Sequence, residues 1–295
     1  METQRALVTG ASSSLVQDCA KALCSVGFKV LATSSRLDRK ALTGHIRMDL
    51  LNPNTWDHNE LHLPFDFVFH AAAHGPRINN TDFYEVNYKA PLNFFSRINL
   101  NPDCKFVFAS TSSIYGTLNR QQVTEKTIPN PENDYAKSKL YFENTIANVL
   151  KQIGSRGHLL ILRIPTLLGR RVSQNIIDRW IYQSKLREKT LVYNPDKTFS
   201  SLISEIDVIS RIISETHSDK TEKYIVNCYT NGDLTYLQAA NLIAETFEGP
   251  KPSIVKTNLQ PALSMINLGE SWFDKISTRS SLTSHLKTFL ATGRS

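Results

Sequence analysis

Apolar residues form short runs along the first half of the chain, and segments with a helical period separate these runs. Strands are predicted where β-branched or aromatic residues dominate, at residues 5–9, 29–33, 65–70, 105–109 and 159–162. Helices are predicted at residues 15–26, 82–98 and 135–153, where apolar residues recur with the helical period. This alternation predicts an α/β fold with a doubly wound parallel sheet that helices cover on both faces.

The pattern loosens after Pro165. Helices are expected at residues 175–186, 207–215 and 235–247, with a short strand at 191–193. At roughly 100–200 residues per domain, a chain of 295 residues is one large domain or two closely joined ones. The sequence predicts a first domain over residues 1–165 and a smaller mixed C-terminal lobe over residues 166–295, which can interleave with the first.

The charge balance favours a small anionic ligand. The 34 basic residues outnumber the 27 acidic ones, but they are scattered and match no nucleic-acid-binding module. No apolar run reaches the ~18 residues of a membrane span, and the first residues lack a signal-peptide pattern. We therefore expect a cytoplasmic protein with a small-molecule substrate, and neither nucleic acid nor a membrane as partner. The four cysteines form no C-x-x-C pair, so no metal site is expected.

The turn after the first strand is a candidate phosphate-binding site. The segment from Thr9 to Val16 joins this strand to a helix, which is where a dinucleotide pyrophosphate meets a helix N-terminus. Gly10 supplies the first glycine of the usual fingerprint, whereas Ser13 or Ser14 stands at the second glycine position and Val16 at the third. An ordinary βα turn explains the segment about as well. The candidate cofactor-binding residues here are Gly10, Ser12, Ser13, Ser14 and Leu15.

The end of the second strand bears on the choice of cofactor. An acidic residue there would bind the ribose 2′-hydroxyl of NAD, but this sequence has Ser34, Ser35 and Arg36. With a guanidinium nearby and no carboxylate, NADP is favoured over NAD, although NAD stays open. A solvated Arg36 is the alternative, and Asp38 follows closely.

The most specific signal is a tyrosine and a lysine four residues apart. Tyr135 and Lys139 share one face of a predicted helix, and we expect the lysine ammonium to lower the tyrosine pKa. Such a pair exchanges a proton with an alcohol or ketone. Thr111 follows the strand at 105–109 and can orient the substrate oxygen. The ordered set of turn, hydroxyl-rich strand end and Tyr/Lys helix is more specific than any single part.

With these motifs the chain resembles the NAD(P)-dependent epimerase/dehydratase family of the extended short-chain dehydrogenase/reductase superfamily. The resemblance covers nearly the whole length. It implies a Rossmann-like, dinucleotide-binding first domain, a substrate-binding C-terminal lobe, and a homodimer formed through the helices that carry Asn87 and Tyr135. Matching stretches include residues 7–10, 48–50, 66–72, 86–87, 110–116, 135–139, 162–163 and 206–208.

The resemblance also implies roles for individual residues. Thr111 would bind the reacting oxygen, Tyr135 would act as acid and base, and Lys139 would hold the nicotinamide ribose. The remaining cofactor contacts implied are Asp49, Leu50, Ala71, Ala72, Ala73 and Asn87. The substrate contacts implied are Ser112, Ser113, Thr166 and Asn175.

Departures from the family pattern narrow the reaction. Ser112 and Ser113 replace the acid pair of the 4,6-dehydratases, and Ser113 also replaces the cysteine of the epimerase-reductases. A nucleotide-sugar 4-ketoreductase or 4-epimerase in carbohydrate biosynthesis is left, and a cofactor that dissociates at each turnover favours the reductase.

Other departures keep rival functions open. Thr166 replaces the family asparagine, and Ser200 replaces an arginine that would bind the nucleotide diphosphate. Arg170, Arg171 or Lys197 could compensate for that arginine. A reductase of a non-nucleotide ketone or aldehyde is therefore one alternative. A non-catalytic NADP-binding sensor or structural homologue is the other, because two glycines are missing.

Overall fold

Seven parallel strands form the central sheet of this computed structural model, which confirms the predicted α/β architecture. The labels follow chain order, and the strands of this sheet are β1 (Arg5–Thr9), β2 (Lys29–Ser34), β3 (His45–Arg47), β4 (Phe65–His70), β5 (Leu100–Thr111), β7 (Leu159–Ile164) and β11 (Lys223–Asn227). They lie in the order β11-β7-β5-β4-β1-β2-β3. The direction of the strand order changes between β1 and β4, and open sheets of this kind bind ligands beside such a point, beyond the carboxyl ends of the strands.

Short parallel pairs and eight α-helices complete the described secondary structure. The pairs are β6 (Gln122–Val123) with β13 (Ile266–Asn267), β8 (Thr166–Leu168) with β10 (Leu202–Ser204), and β9 (Leu191–Tyr193) with β12 (Ser253–Val255). The α-helices in the described ranges are α1 (Ser14–Ser25), α2 (Asn59–His62), α3 (Ala90–Phe95), α4 (Asp134–Gln152), α5 (Ile176–Lys185), α6 (Glu205–Glu215), α7 (Tyr236–Thr246) and α8 (Thr278–Ala291). None of them is long and apolar enough to cross a membrane.

The structure describes residues 3–36, 44–76, 78–116, 122–156, 158–169, 176–199, 202–220, 222–230, 234–255, 266–267 and 276–291. The chain divides into two compact units. The first comprises Met1–Thr117, Ile128–Ile164 and Ile209–Asn227, and the second comprises Leu118–Thr127, Pro165–Val208 and Cys228–Ser295.

An aromatic core lies beneath the central strands of the first unit. Phe106 and Phe108 of β5 and Phe142 of α4 are fully buried, with Phe108 and Phe142 ring centroids 4.4 Å apart. Burying each such ring stabilises the fold by roughly 1.5–3 kcal/mol. These contacts fix α4 against the end of β5, which carries Thr111.

The single helix predicted at residues 82–98 is interrupted in the structure. A π-helical turn, Glu85–Lys89, precedes α3. The interruption has a local cause, because Pro91 has no N–H to donate to the carbonyl of Asn87 four residues earlier. The turn leaves the Asn87 side chain buried.

Candidate active site

The parallel strands bring the predicted cofactor residues of the first unit to one edge of the sheet. Gly10 follows β1, Ser34 ends β2, Asp49 lies just after β3, and Ala71 follows β4. Thr111 ends β5 at the same edge. The strand-end placement that the resemblance implies is therefore present for these five residues.

Gly10 meets the conformational demand of the first turn. Its φ is +91°, and a Cβ added there would lie 2.8 Å from the backbone nitrogen of Ala72. Thr9 stabilises the same close approach of the two backbone segments. Its hydroxyl accepts the Ala72 N–H at 3.3 Å and hydrogen-bonds His70 Nδ1 at 2.7 Å. The backbone after β1 thus packs directly on the backbone after β4, which requires glycine at position 10.

The serines after Gly10 form the N-terminus of α1. Ser13 is the N-cap, and its hydroxyl accepts the Val16 N–H at 3.3 Å. Ser12 and Ser13 are exposed, whereas Ser14, Leu15 and Val16 are buried in the unit. The valine at the third glycine position therefore packs in the interior rather than over the turn. Because first-turn N–H groups lack a carbonyl four residues earlier in the helix, this terminus can hold a pyrophosphate.

The end of β2 carries more positive charge than the sequence prediction included. Ser34 is buried, and its hydroxyl lies 2.9 Å from His45 Nε2 and donates to the Arg36 carbonyl at 2.5 Å. Arg47 is opposite Ser34 in the β2–β3 register and donates from Nε to the Ser35 carbonyl at 3.2 Å. Arg36 and Arg47 are exposed, and neither forms an ion pair with a described residue. The prediction omitted His45 and Arg47 because β3 has only three residues and no strand was predicted there.

The resemblance also implies cofactor contacts at residues 49–50 and 71–73, which lie just beyond β3 and β4. The Asp49 carboxylate accepts the Leu51 N–H at 3.0 Å, which fixes the chain direction there. Asp49 and Leu50 are half-buried. Ala71 and Ala72 are half-buried and Ala73 is exposed, so small side chains line this part of the edge.

Asn87 connects the loop after β4 to the helix that carries the tyrosine and lysine. Its side-chain oxygen accepts the His74 N–H at 2.8 Å, and its nitrogen donates to the His74 carbonyl at 3.0 Å and to Ser138 Oγ at 3.3 Å. Ser138 in turn donates to the Tyr135 carbonyl at 2.7 Å. Asn87 therefore fixes the position of α4 relative to the loop, as a residue beneath the site would.

Thr111 and Tyr135 are brought together by β5 and α4. Asn133 caps α4 by accepting the Ala136 N–H at 2.9 Å, which places Tyr135 in the first turn. The Thr111 side chain lies beside the Tyr135 phenol, and Thr111 Oγ1 donates to Ser113 Oγ at 3.2 Å. Burial raises the pKa of Tyr135, and the neighbouring Thr111 only partly offsets this rise. The phenol is therefore protonated at neutral pH.

Lys139 is buried at the same strand end. Its ammonium donates to the Ala109 carbonyl at 2.8 Å and lies 4.7 Å from the centre of the Phe108 ring. Burial lowers the pKa of Lys139 to about 7, against an opposing effect of Glu143. The expectation that Lys139 lowers the Tyr135 pKa was wrong for this structure, because desolvation of the phenol outweighs other influences.

A buried polar network behind this pair was missed from the sequence. Glu143, one helical turn after Lys139, accepts hydrogen bonds from Ser110 and from Arg163, and the shortest of the Arg163 bonds is 2.6 Å long, from Nη2. Arg163 Nη1 donates to the Tyr115 hydroxyl at 2.6 Å. A glutamate four residues after the lysine on the same helical face was the available signal.

The predicted substrate residues that the structure describes are divided between the two units. Ser112 is buried and Ser113 is exposed in the 3₁₀ turn that follows Thr111. Thr166 is exposed on β8 of the second unit. Asn175 lies outside the described residues, as do Arg170, Arg171 and Ser200.

Comparison with known proteins identifies the family. A model described as the NAD dependent epimerase/dehydratase family matches residues 6–202. The chain belongs to this family. The "Uncharacterized protein y4nG" of Sinorhizobium fredii is 30% identical over 129 residues, which make up 42% of this chain. That match spans only 32% of the length of y4nG.

Solved structures share the fold of this epimerase/dehydratase family member. UDP-glucose 4-epimerase from Thermotoga maritima, solved with UDP-glucose, has a TM-score of 0.78 at 18% identity, over 99% of this chain and 100% of that one. UDP-glucuronic acid 4-epimerase from Bacillus cereus, solved with NAD, has a TM-score of 0.75 at 18% identity, over 99% and 100%. RMD from Pseudomonas aeruginosa, solved with NADPH, has a TM-score of 0.73 at 19% identity, over 98% and 100%.

Proposed function

We propose that this chain transfers a hydride between a nicotinamide dinucleotide and the C4 carbon of a nucleotide sugar, as a 4-ketoreductase or a 4-epimerase. The observation that carries the proposal is the end of β5. There the Thr111 side chain lies beside the Tyr135 phenol, and the Ala109 carbonyl accepts from Lys139 at 2.8 Å. An acid, a hydroxyl that orients it and a buried ammonium therefore meet beyond a parallel strand.

The protonation state of Tyr135 favours reduction. Because burial raises its pKa, Tyr135 carries its proton at neutral pH and can donate it from Oη to a carbonyl oxygen of the substrate. Thr111 orients that oxygen through its own hydroxyl. The bound nicotinamide would supply or accept the hydride. Lys139 would bind the hydroxyls of the adjoining ribose through its ammonium.

The other strand ends would hold the rest of the dinucleotide. Gly10 lets the turn pass close to the Ala72 backbone, and the N–H groups at the start of α1 would face the pyrophosphate. A 2′-phosphate would be expected at the end of β2, where the exposed Arg36 and Arg47 would favour NADP over NAD.

The residues after Thr111 argue against dehydration of the sugar. Eliminating water needs an acid and a base on the sugar, whereas Ser112 and Ser113 carry hydroxyls with ordinary pKa values far above neutral pH. Ser113 Oγ accepts the Thr111 hydroxyl at 3.2 Å, so it belongs to the hydrogen-bonded group that orients the reacting oxygen.

Binding and turnover measurements test the proposal directly. The full chain is mixed with NADPH or NADH, and binding is followed by nicotinamide fluorescence; oxidation is then followed with a panel of nucleotide 4-keto sugars and UDP sugars. Tyr135→Phe is expected to lower turnover by about 10²–10⁴-fold with unchanged dinucleotide affinity. Exposed Tyr141→Phe on the same helix is the matched control and should change neither quantity.

A second function is favoured by the replaced glycines, Ser13 and Val16. The chain would then bind the dinucleotide without turning over a substrate. Dinucleotide binding with no NADPH or NADH oxidation across the panel, and no effect of Tyr135→Phe on any readout, would support this alternative.

NADPH or NADH oxidation with simple ketones or aldehydes but not with nucleotide sugars would instead support a reductase of non-nucleotide substrates. The homodimer stays a prediction, which sedimentation of the purified chain tests.

A further inference from the structure

We propose that Glu143 is a positioning residue for Lys139: its carboxylate, one helical turn away and fixed by Ser110 and Arg163, keeps the lysine an ammonium at the end of β5. The inference rests on the proposed function in one respect only: the positive charge of Lys139 is taken to bind the ribose of a nicotinamide dinucleotide. The relation between the two side chains follows from the fold of the first unit.

Three successive residues of β5 each meet a different residue of α4. The Ala109 carbonyl accepts from Lys139 at 2.8 Å, Ser110 Oγ donates to Glu143, and Thr111 lies beside Tyr135. Tyr135, Lys139 and Glu143 are spaced four residues apart, so they lie on one helical face. The strand end and the helix are therefore joined at three consecutive points, and Glu143 completes the pattern that Tyr135 and Lys139 begin.

The carboxylate of Glu143 is fixed by the neighbouring strand. Arg163 of β7 is the register partner of Ser110, and its Nη2 donates to Glu143 at 2.6 Å. Arg163 is itself held by the Tyr115 hydroxyl, which donates to Asn227 Oδ1 at 2.8 Å. Glu143 is 1% exposed and Lys139 is 3% exposed, so neither charge can exchange its partner for bulk water.

The other groups around Lys139 do not supply a negative charge. His70 of β4 is held neutral, because burial and then Lys139 lower its pKa well below the ordinary value. The face of Phe108 and the carbonyl of Ala109 contribute only partial charges.

Two further cations lie behind the carboxylate. Arg163 pairs with it, and Lys223 of β11 donates to the Glu143 backbone carbonyl at 2.8 Å. Within the described part of the chain, Glu143 is the one carboxylate that acts on Lys139.

Removing this charge has a defined consequence for the lysine. Burial already lowers the pKa of Lys139 to about 7, and Glu143 opposes the decrease. Without Glu143 the pKa falls further, since an opposite charge nearby favours the charged form by about 1–3 pH units. Lys139 would then be a neutral amine at pH 7, with a lone pair where an ammonium would donate to ribose oxygens.

The test measures the titration of Lys139 in the full chain without dinucleotide. Lysine is labelled with ¹³C at Cε, the Lys139 signal is assigned by its loss in Lys139→Arg, and its chemical shift is followed from pH 5 to 11. Glu143→Gln is expected to lower the titration midpoint by about one pH unit or more. Glu143→Asp should restore most of the difference. Asp134→Asn, which removes an exposed acid from the first turn of the same helix, should leave the midpoint unchanged.

A second variant guards against misfolding, because Glu143→Gln leaves the Arg163 guanidinium buried without a full negative charge. The double variant Glu143→Gln with Arg163→Gln removes both charges, so its Lys139 midpoint should fall less than that of Glu143→Gln, because loss of the Arg163 cation partly offsets loss of the carboxylate. A folded Glu143→Gln with an unchanged midpoint, or a folded double variant with a raised midpoint, overturns the proposal.

Dinucleotide affinity is measured over the same pH range to separate this inference from the proposed function. The wild-type affinity for NADPH should fall as pH rises through the Lys139 midpoint, and in Glu143→Gln the fall should begin at lower pH. A shifted midpoint in a chain that binds neither NADPH nor NADH would contradict the proposed function and leave the relation of Glu143 to Lys139 intact.

Discussion

The carboxyl ends of the central strands form one edge of the sheet, and the polar groups in the two halves of this edge find hydrogen-bond partners in different ways. In the catalytic half, formed by Ser110, Thr111, Tyr135, Lys139, Glu143 and Arg163, the side chains are buried except for the half-buried Tyr135, and they bind one another or the backbone. In the phosphate half, formed by residues 10–16 together with Ser34, Arg36, His45 and Arg47, Ser12, Ser13 and both arginines face solvent. The catalytic half is therefore determined by contacts within the protein, whereas the phosphate half depends on water or a ligand for its partners.

This difference separates stability from binding. Breaking a buried charge pair leaves an unpaired charge and destabilises the fold strongly. Removing an exposed charge changes the free energy of unfolding little, but it can change the affinity for a phosphate. Substitutions in the catalytic half should therefore act mainly on folding and protonation, and those in the phosphate half mainly on dinucleotide affinity.

The largest expected effect is on stability in the catalytic half. Arg163→Met removes the partner of the buried Glu143, and the free energy of unfolding should fall by about 3–5 kcal/mol. Arg36→Met in the phosphate half is the matched control and should change it by less than about 0.5 kcal/mol. Urea titration measures both. Equal effects of the two substitutions would remove the distinction between the halves.

The next effect is the pH dependence that Lys139 gives to stability. Its pKa falls from 10.5 to about 7 on folding, so between these values the unfolded chain binds more protons than the folded chain. The free energy of unfolding therefore rises with pH across this window, by about 1.4 kcal/mol per pH unit from this group alone.

Lys139→Met should remove that rise and leave the chain more stable than the wild type below pH 7, where the wild type carries the buried ammonium. Denaturant titrations at pH 6, 8 and 10 check both statements. Exposed Lys137→Met on the same helix is the control, and its pH profile should follow the wild type. Parallel profiles for wild type and Lys139→Met would mean that the lysine is not buried as an ammonium in solution.

The two halves also differ in how much the sequence revealed. Tyr135, Lys139 and Thr111 could be predicted because a helical spacing and a strand end are readable from local pattern. The partnership of Glu143 with Arg163 could not, because it depends on the parallel register that pairs Ser110 with Arg163. The direction of the Tyr135 pKa shift was missed for a similar reason, since burial outweighs local spacing.

The fold itself was largely predictable, and the omissions lie at the sheet edges. β3 has three residues with half-polar character, so no pattern stands out there. β11 has five residues, as β1 has, but it follows Pro165, where the sequence pattern loosens. Each joins the central sheet by pairing with a longer neighbouring strand: β3 pairs with β2, and β11 pairs with β7. The missed β3 is also why Arg47 and His45 were absent from the predicted phosphate half.

Arg47 gives a sharper test of the phosphate half. Arg47→Gln should weaken NADPH binding by about tenfold, as expected when one charge-assisted contact to a phosphate is lost, and should leave NADH binding unchanged. 2′,5′-ADP and 5′-AMP are each measured as competitors of NADPH, and the difference between their affinities gives the contribution of the 2′-phosphate. Lys151→Gln, an exposed charge on α4, is the control. Equal losses of NADPH and NADH affinity would place Arg47 away from the 2′-phosphate.

The smallest expected effect concerns the serine at a glycine position. Ser13→Gly removes a hydroxyl that accepts the Val16 N–H, and as an N-cap substitution it costs only a few tenths of a kcal/mol in stability. It also removes the Cβ beside the pyrophosphate position, so NADPH should bind a few-fold more tightly, about 0.5–1 kcal/mol by the affinity arithmetic. Calorimetry measures the affinity.

Ser13→Ala, which keeps the Cβ and loses the hydroxyl, identifies the cause of the Ser13→Gly effect. Tighter binding in both variants would mean that the hydroxyl competes with the phosphate for the helix N–H groups. Tighter binding in Ser13→Gly alone would assign the effect to the Cβ. Weaker binding in both variants would show that the Ser13 hydroxyl donates to the phosphate; the phosphate half would then have a built-in partner for its ligand, and its contrast with the catalytic half would be smaller than its exposure indicates.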